Sequence, residues 1–297
     1  MKCDLCPRKC LVERKKGEKG ICGQTENLKV ARAALHFWEE PCISGDAGSG
    51  AVFFSGCPLH CVFCQNENIA NGTVGKEISL ERLVDIFLEL QEKGANNINL
   101  VTPGHFVPQI VKALDQAKKE GLTLPVVYNT SSYETVDTIR MLDGYVDIYL
   151  PDFKYMSPVL SKKYSHAPDY AEVAKAAIAE MVRQTGKAVF VNGEEDNLIL
   201  SGTIVRHLTL PGCMADSMQI LKYLHDTYGD KIYISIMNQF TPLSNLEKYP
   251  ELNRRITGEE YETLVDYAID IGIENGFIQE GDTAEESFIP AFDCEGV

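Results

Sequence analysis

Cys57, Cys61 and Cys64 carry the clearest chemistry in the chain. They form a C-x3-C-x2-C set within AVFFSGCPLHCVFCQN, residues 51–66, directly after a short apolar run. Three thiolates in one tight loop suit three irons of a four-iron cluster. No fourth cysteine lies nearby, which leaves the fourth iron open to a small-molecule ligand. Zinc is the competing metal, but a structural zinc wants four ligands, usually as two pairs. A buried structural trio is the plain alternative; Pro58 and His60 between the cysteines argue for a loop instead.

A second group stands at the N-terminus. Cys3, Cys6, Cys10 and Cys22 read C-x2-C-x3-C-x11-C, with Gly20 and Gly23 beside the last. This spacing predicts a tetrathiolate knuckle, with zinc first and mononuclear iron or a second cluster next. Four thiolates leave no open position, so its expected role is structural. Free thiols in a loose arm are the alternative. Cys42, Cys213 and Cys294 stand alone and read as small buried thiols.

The elements that position these residues repeat as strand, loop and helix. Strands are expected at 51–55, 97–101, 125–128, 146–150, 204–208 and 232–236. Helices are expected at 80–93, 107–120, 134–142, 170–184, 217–228 and 257–271. Ser79 is the expected N-cap of the first helix, and Thr257 with Glu260 forms a capping box on the last. Residues 188–191 and 198–200 read as a hairpin insertion. Residues 28–50 read as a connector, strand-like over 30–37 and then a flexible loop marked by Gly45, Gly48 and Gly50. Phe288, Ile289 and Phe292 suggest that the acidic tail docks on the body. Six strand–helix units in series imply a parallel sheet that can curl into a barrel. Such barrels gather chemistry at the C-terminal strand ends. Polar residues do follow each strand: the cysteines, then Gly104-His105, Asn129 to Ser132, Asp152 and Lys154, Arg206 on the fifth strand, and Asn238-Gln239.

With Phe63 just before Cys64, the trio resembles the signature of the radical S-adenosylmethionine enzymes. The stretches HFWEEPCISG (36–45), INLVTPGH (98–105), YLPDFKY (149–155) and RHLTLPG (206–212) are similar to a subgroup related to the pyruvate formate-lyase activating enzymes. The resemblance implies an α/β fold, a partial (β/α)6 TIM-like barrel over 51–297, with residues 1–50 as the four-cysteine metal module and connector. It implies an oxidoreductase that binds a [4Fe-4S] cluster on the trio, reductively cleaves S-adenosyl-L-methionine to a 5′-deoxyadenosyl radical, and abstracts hydrogen from a substrate. The substrate is a glycyl-radical enzyme in the activase reading. The alternatives are radical modification of another protein, peptide or small molecule, or an iron–sulfur electron carrier or sensor without turnover.

Carried onto this sequence, the resemblance makes Gly104, Asn129, Ser131, Asp152, Lys154, Arg206, Asn238 and Gln239 the cofactor contacts. Two departures stand out. The family's Gly-Gly-Glu turn lacks its acid here, which makes His105 either a proton donor or a helix-capping histidine. The related Asp-Thr-Asn-Gly begins with Asn129 instead. The expected partners are a low-potential flavodoxin- or ferredoxin-like electron donor and, in the activase reading, a protein substrate.

Composition narrows the field. The chain has 297 residues, 44% of them hydrophobic, enough for one large α/β domain. A net charge of −15 disfavours nucleic acid and anionic membranes. Arg8, Lys9, Arg14, Lys15, Lys16 and Lys19 form the one basic cluster, read as a solvated loop. With neither a secretory signal nor a membrane-length apolar run, a cytoplasmic, metal-binding protein is expected.

Overall fold

Period-two burial organises the barrel. On β5 (Val126–Thr130), Val126 and Tyr128 face outward into a helix-packed core, while Val127 and Asn129 face inward. The computed structural model describes residues 2–193, 197–242, 246–279 and 290–297. Its strands are β1 (Lys29–His36), β2 (Ser49–Phe54), β3 (Lys76–Glu77), β4 (Ile98–Val101), β5, β6 (Ile148–Pro151), β7 (Val189–Phe190), β8 (Ile199–Leu208), β9 (Tyr233–Met237) and β10 (Gly276–Ile278). They run in the order β10-β9-β8-β6-β5-β4-β2-β1-β3, with β7 paired to β8. Pairing from β2 through β10 is parallel; β1 adds antiparallel to β2 and β3 to β1. The inner strands are buried on both faces, as the crossover helices of a parallel sheet require.

The helices are α1 (Pro41–Ser44), α2 (Glu67–Ala70), α3 (Leu80–Glu92), α4 (Val107–Lys119), α5 (Val136–Arg140), α6 (Pro158–Ser165), α7 (Tyr170–Thr185), α8 (Met214–Tyr228) and α9 (Gly258–Asp270). Ser79 caps α3 by accepting the Arg82 N–H (3.1 Å), and Thr257 and Glu260 form the capping box of α9. The expected helix at 257–271 and its capping box are therefore present.

Four local features differ from the sequence reading. The strand expected at 204–208 begins at Ile199, so the second arm of the expected hairpin is its first half, and β7 pairs with it antiparallel. Helix α6 was not anticipated, although Ser157 before Pro158 is a start signal and the Ser157 hydroxyl accepts from Leu160 N–H (3.4 Å). A seventh parallel strand, β10, also went unanticipated. The connector's glycine loop is not loose. Pro41 opens α1, and Gly50 lies inside β2, where a Cβ would stand 2.7 Å from the Asn97 carbonyl oxygen.

Helix α1 closes the bottom of the barrel. Cys42 and Ile43 pack with Val127, Ile148, Leu150, Ile204 and Tyr233 in one apolar cluster. Cys42 is thus a buried core thiol, and the connector is part of the barrel. A division at residue 50 falls within β2, whose partner β1 lies on its other side. The tail docks on β1: Cys294 N–H donates to Ala31, Ala33 N–H donates to Glu295, and Phe292 meets Phe53 edge-on at 5.5 Å. Phe288 and Ile289 lie outside the described residues. No helix among the described residues is long and apolar enough to cross a membrane.

Candidate active site

The loop after β2 turns sharply enough to bring its three cysteines to one cavity. Gly56 takes φ +94°, and a Cβ there would lie 2.5 Å from the Cys22 carbonyl oxygen, so only glycine fits both the turn and the approach. His60, also left-handed, donates from Nε2 to the Ile21 carbonyl (2.8 Å). Val62 N–H donates to Tyr164 of α6 (2.9 Å), and Phe63 packs on Tyr164 and Phe240. Cys57, Cys61 and Cys64 all line a cavity of about 280 Å³. The Ser165 hydroxyl donates to Cys61 Sγ (2.9 Å) and is itself within hydrogen-bond distance of Tyr155 (2.8 Å).

Burial pushes the Cys61 thiol up to about 11 and that of Cys64 to about 12, and it raises Cys57 as well. The charges of Cys61 and Cys57 raise Cys64 further, and Lys154 opposes the rise in all three.

Beneath the cysteines lies a buried charge network that reaches across the sheet. Arg206 donates from Nε to Asp152 (3.0 Å), from one terminal nitrogen to Glu39 (2.9 Å), and from the other to Asn129 Oδ1 (2.6 Å). Asn99 and Asn129 each donate to the other Glu39 oxygen (3.1 Å). Lys154 Nζ donates to Asp152 (2.6 Å). Two cations and two carboxylates balance within the barrel, as buried charge requires. Burial works against the charge on Asp152, but Lys154 and Arg206 outweigh it and hold the carboxyl below its ordinary range. Burial raises Glu40, against the opposing charge of Arg206, and one of its oxygens has no hydrogen-bond partner. Glu39 went unanticipated because it comes from the turn between β1 and α1, far in sequence from every partner.

The structure gathers most of the sequence-derived contacts. Asn129, Ser131, Asp152, Lys154, Arg206 and Gln239 line the same cavity as the cysteines. Arg206 points inward, and all three of its guanidinium nitrogens have protein partners. Gly104 and Asn238 lie outside the described lining. A Cβ on Gly104 would press 2.9 Å from the Glu134 carboxylate, so its smallness serves a buried acid held by Tyr128 and Thr130. Asn238 N–H donates to Gln279 (2.9 Å). His105 is neither a cavity residue nor a helix cap through its side chain. It is buried, donates from Nε2 to the Ser55 carbonyl (2.7 Å), and burial holds it neutral at about 3.

The N-terminal arm packs directly against the loop that carries the three cysteines. Arg8 donates to Pro58 (2.8 Å), His166 (2.5 Å) and Ser165 (3.0 Å), and lies 5.1 Å over the Tyr133 ring. Arg14 is buried over Phe106 and donates to Thr25 (2.9 Å) and His105 (2.5 Å). These two arginines are clamps, which corrects the reading of the whole basic cluster as solvated. A Cβ on Gly20 would stand 3.2 Å from Cys10 Sγ and 3.5 Å from Cys22 Sγ, so the two sulfurs flank that glycine. Cys3, Cys10 and Cys22 all raise the Cys6 thiol, which burial foremost pushes to about 12. Among the described residues no three His, Cys, Asp or Glu side chains converge to hold a single metal ion.

Residues 51–198 match the model of the Radical SAM superfamily. An uncharacterized protein of Methanocaldococcus jannaschii is 28% identical over 273 residues, covering 90% of this chain and 74% of its own. Among solved structures, SuiB of Streptococcus suis is similar at TM-score 0.51 and 12% identity, over 79% of this chain and 49% of SuiB. HydG, a maturase of the [FeFe]-hydrogenase, is similar at TM-score 0.51 and 14% identity, over 78% of this chain and 52% of HydG. The match thus spans about half of either structure, and at this identity the likeness is one of fold.

Proposed function

The chain belongs to the radical SAM superfamily, and from that premise we propose that Cys57, Cys61 and Cys64 hold a [4Fe-4S] cluster and that the strand-end residues around them hold S-adenosylmethionine. One observation carries this reading: the three thiols open into the cavity that Asn129, Ser131, Asp152 and Lys154 also line. The donor set fits the cluster. Three sulfurs share the space, no fourth cysteine is among the described lining residues, and Asp152, the nearest rival ligand, is already bound by Lys154 and Arg206. An electron carrier with a fully ligated cube would need that fourth ligand.

Held by Cys57, Cys61 and Cys64, a cluster reduced by an external one-electron donor would supply the electron for cleavage of S-adenosylmethionine to methionine and the 5′-deoxyadenosyl radical, and so the means of abstracting hydrogen from a substrate. The chain's residues prepare the place. Lys154 offsets the thiolates' negative charge and, with Asp152, presents a fixed ion pair to the cofactor's amino-acid end. Asn129, Ser131 and Gln239 offer hydrogen bonds, and Leu59, Phe63 and Phe240 keep water from the cysteines. Arg206 acts by positioning Asn129 and Asp152. Gly104 and Asn238 would contribute only through backbone.

The substrate reading we favour is a protein: an activase that places a radical on a glycine of a partner enzyme, in keeping with the likeness of stretches 36–45, 98–105, 149–155 and 206–212 to that branch. Modification of another protein, peptide or small molecule is the second reading; the single four-cysteine arm, where related activases add ferredoxin-like modules, favours it. We assign zinc or iron to Cys3, Cys6, Cys10 and Cys22. The setting we propose is the cytoplasm, with a low-potential flavodoxin- or ferredoxin-like donor.

The test is anaerobic reconstitution with iron and sulfide, reduction with dithionite, and quantitation of methionine and 5′-deoxyadenosine. Both should appear, in equal amounts. Intact cofactor from a fully loaded, reduced sample overturns the reading. Electron paramagnetic resonance of a glycyl-radical partner after turnover separates the activase from the other substrates.

A further inference from the structure

The charge of the chain is divided unevenly. Residues 2–29 carry eight Lys and Arg against four Asp and Glu, in a chain with 28 against 43. Two of those cations, Arg8 and Arg14, clamp the arm to the barrel. Lys15 and Lys16 face Glu26 and Glu13. Lys9 and Lys19 are exposed and enter no ion pair among the described residues.

These two lysines sit in segments that the fold brings together. Gly20 packs between Cys10 Sγ and Cys22 Sγ and near Val12, which places Lys9-Cys10-Leu11 beside Lys19-Gly20-Ile21-Cys22. Leu11 and Ile21 are 51% and 49% exposed, unusual for apolar side chains in so small a segment. The same face is short-wired to the trio. The Ile21 carbonyl accepts from His60, and the Cys22 carbonyl lies against Gly56. An apolar centre with basic residues beside it, directly over a redox-capable loop, is the form of a small transient interface steered by charge.

We propose that this face of the arm, Lys9 to Leu11 with Lys19 to Ile21, is the docking surface for an acidic one-electron carrier protein that reduces the cluster held by Cys57, Cys61 and Cys64. The proposal rests on the cluster reading above and adds where the electron arrives. One electron leaves the carrier's reduced cofactor and enters the cluster, with no bond made or broken in the protein. Positive potential on an otherwise negative molecule selects this face, because an acidic carrier is repelled elsewhere.

The experiment uses the full reconstituted chain, an acidic flavodoxin as probe, and dithionite as a reductant that needs no docking. Flavodoxin affinity is measured by calorimetry at low and high salt, and cluster reduction by stopped-flow absorbance. Lys9→Glu/Lys19→Glu should weaken flavodoxin binding at least tenfold at low salt, flatten its salt dependence, and leave iron content and the dithionite rate unchanged. Leu11→Ser/Ile21→Ser should weaken binding without altering the salt dependence. Lys93→Glu/Lys112→Glu, on exposed lysines outside the arm, should change nothing. If the glutamate pair loses iron, Lys9→Gln/Lys19→Gln is measured in its place, with the same loss of affinity expected. Unchanged affinity in the arm variants, or an equal loss in the control, overturns the proposal, as does preferential binding of a DNA oligomer to this face. Failure of the cluster reading looks different: dithionite-reduced wild type would then leave the cofactor intact while the affinities still report on docking.

Discussion

Two groups of cysteines look alike in sequence and stand on different scaffolds. The trio sits at the mouth of a parallel barrel, on a loop held by α6 and Phe240 and faced by residues from β4, β5, β8 and β9 and the end of β6. The quartet sits on an arm without strands, held together by backbone bonds such as Cys3 N–H to Val12 and Leu11 N–H to Cys3, and fixed to the barrel by Arg8 and Arg14. Spacing names the ligand chemistry in both. What differs is whether the fold delivers other polar groups to the same place. It delivers them to the trio, where Asn129, Ser131, Asp152 and Lys154 line one cavity, and on that difference rests our proposal of a cofactor site at the trio and a structural or electron-passing metal at the quartet.

The largest expected effect tests that separation directly. Cys57→Ala, Cys61→Ala or Cys64→Ala should abolish cofactor cleavage, by about a thousandfold or more, since a cube left with two protein ligands is not retained. Cys6→Ala should lower metal content at the arm while the trio still binds iron and the reductant dithionite still drives cleavage. Metal analysis with product quantitation reads both. Equal loss of cleavage in the two sets would merge the groups into one site.

Next comes the network under the trio. Glu39→Gln leaves the Arg206 charge buried with less compensation, and removing one partner of such a pair costs about 3–5 kcal/mol. Thermal unfolding should fall accordingly. Arg206→Gln should cost as much singly, and the double variant should recover part of the loss, because the two residues share one interaction. Additive losses would mean that Glu39 and Arg206 act apart.

Acid separates two buried groups within the barrel. His207 donates from Nδ1 to the Phe153 carbonyl (2.8 Å), which leaves Nε2 to accept the Ser217 hydroxyl (2.8 Å). Burial lowers its pKa to about 4. Above pH 6.5 the ring is neutral folded and unfolded, so it contributes nothing. As pH falls from 6.5 toward 4, only the unfolded chain takes the proton, and stability drops by about 3 kcal/mol at most. The Asp152 carboxyl is shifted in the same direction but from a lower starting value of 3.8, so its contribution is kept to lower pH and is lost as pH falls through its depressed folded value. His207→Gln should make the first decline shallower, the buried His105 and His36 supplying the rest, and leave the second. Denaturant titrations at a series of pH values test this, and an unchanged slope between pH 6.5 and 4 would remove His207 from the account.

How much of this was legible depended on distance along the chain. The strand–helix alternation, the Ser79 and Thr257 caps and the trio are local signals, written within a few residues, and the structure has them. Asp152 and Lys154 were legible because they sit two apart at one strand end. Glu39 was not, since it lies 167 residues from Arg206 and the turn that carries it reads as a connector. Helix α1 was hidden for the same reason: four residues before Gly45 carry no period, and only the barrel floor above them explains Cys42 and Ile43. Arg8 and Arg14 look like their lysine neighbours until the carbonyls they bind are seen. The alternative of a loose arm was open in sequence because nothing local ties it to the loop at 56–60.

Those ties give the smallest and sharpest test of the comparison. Arg8 spends its guanidinium on three backbone carbonyls, one in the cluster loop and two at the end of α6, and stacks over Tyr133. A charged donor to backbone acceptors is worth about 1.5–3 kcal/mol, reduced here by partial exposure. Arg8→Ala should therefore cost about 1–2 kcal/mol in global stability, and Arg8→Lys should restore little, because an ammonium cannot span three carbonyls in one plane. The telling readout is local. Hydrogen exchange at Val62 N–H, whose acceptor Tyr164 lies one residue before Ser165, should quicken with the arm's own amides if arm and loop form one braced unit. If the arm's amides quicken while Val62 stays protected, the two groups of cysteines share a surface and nothing more.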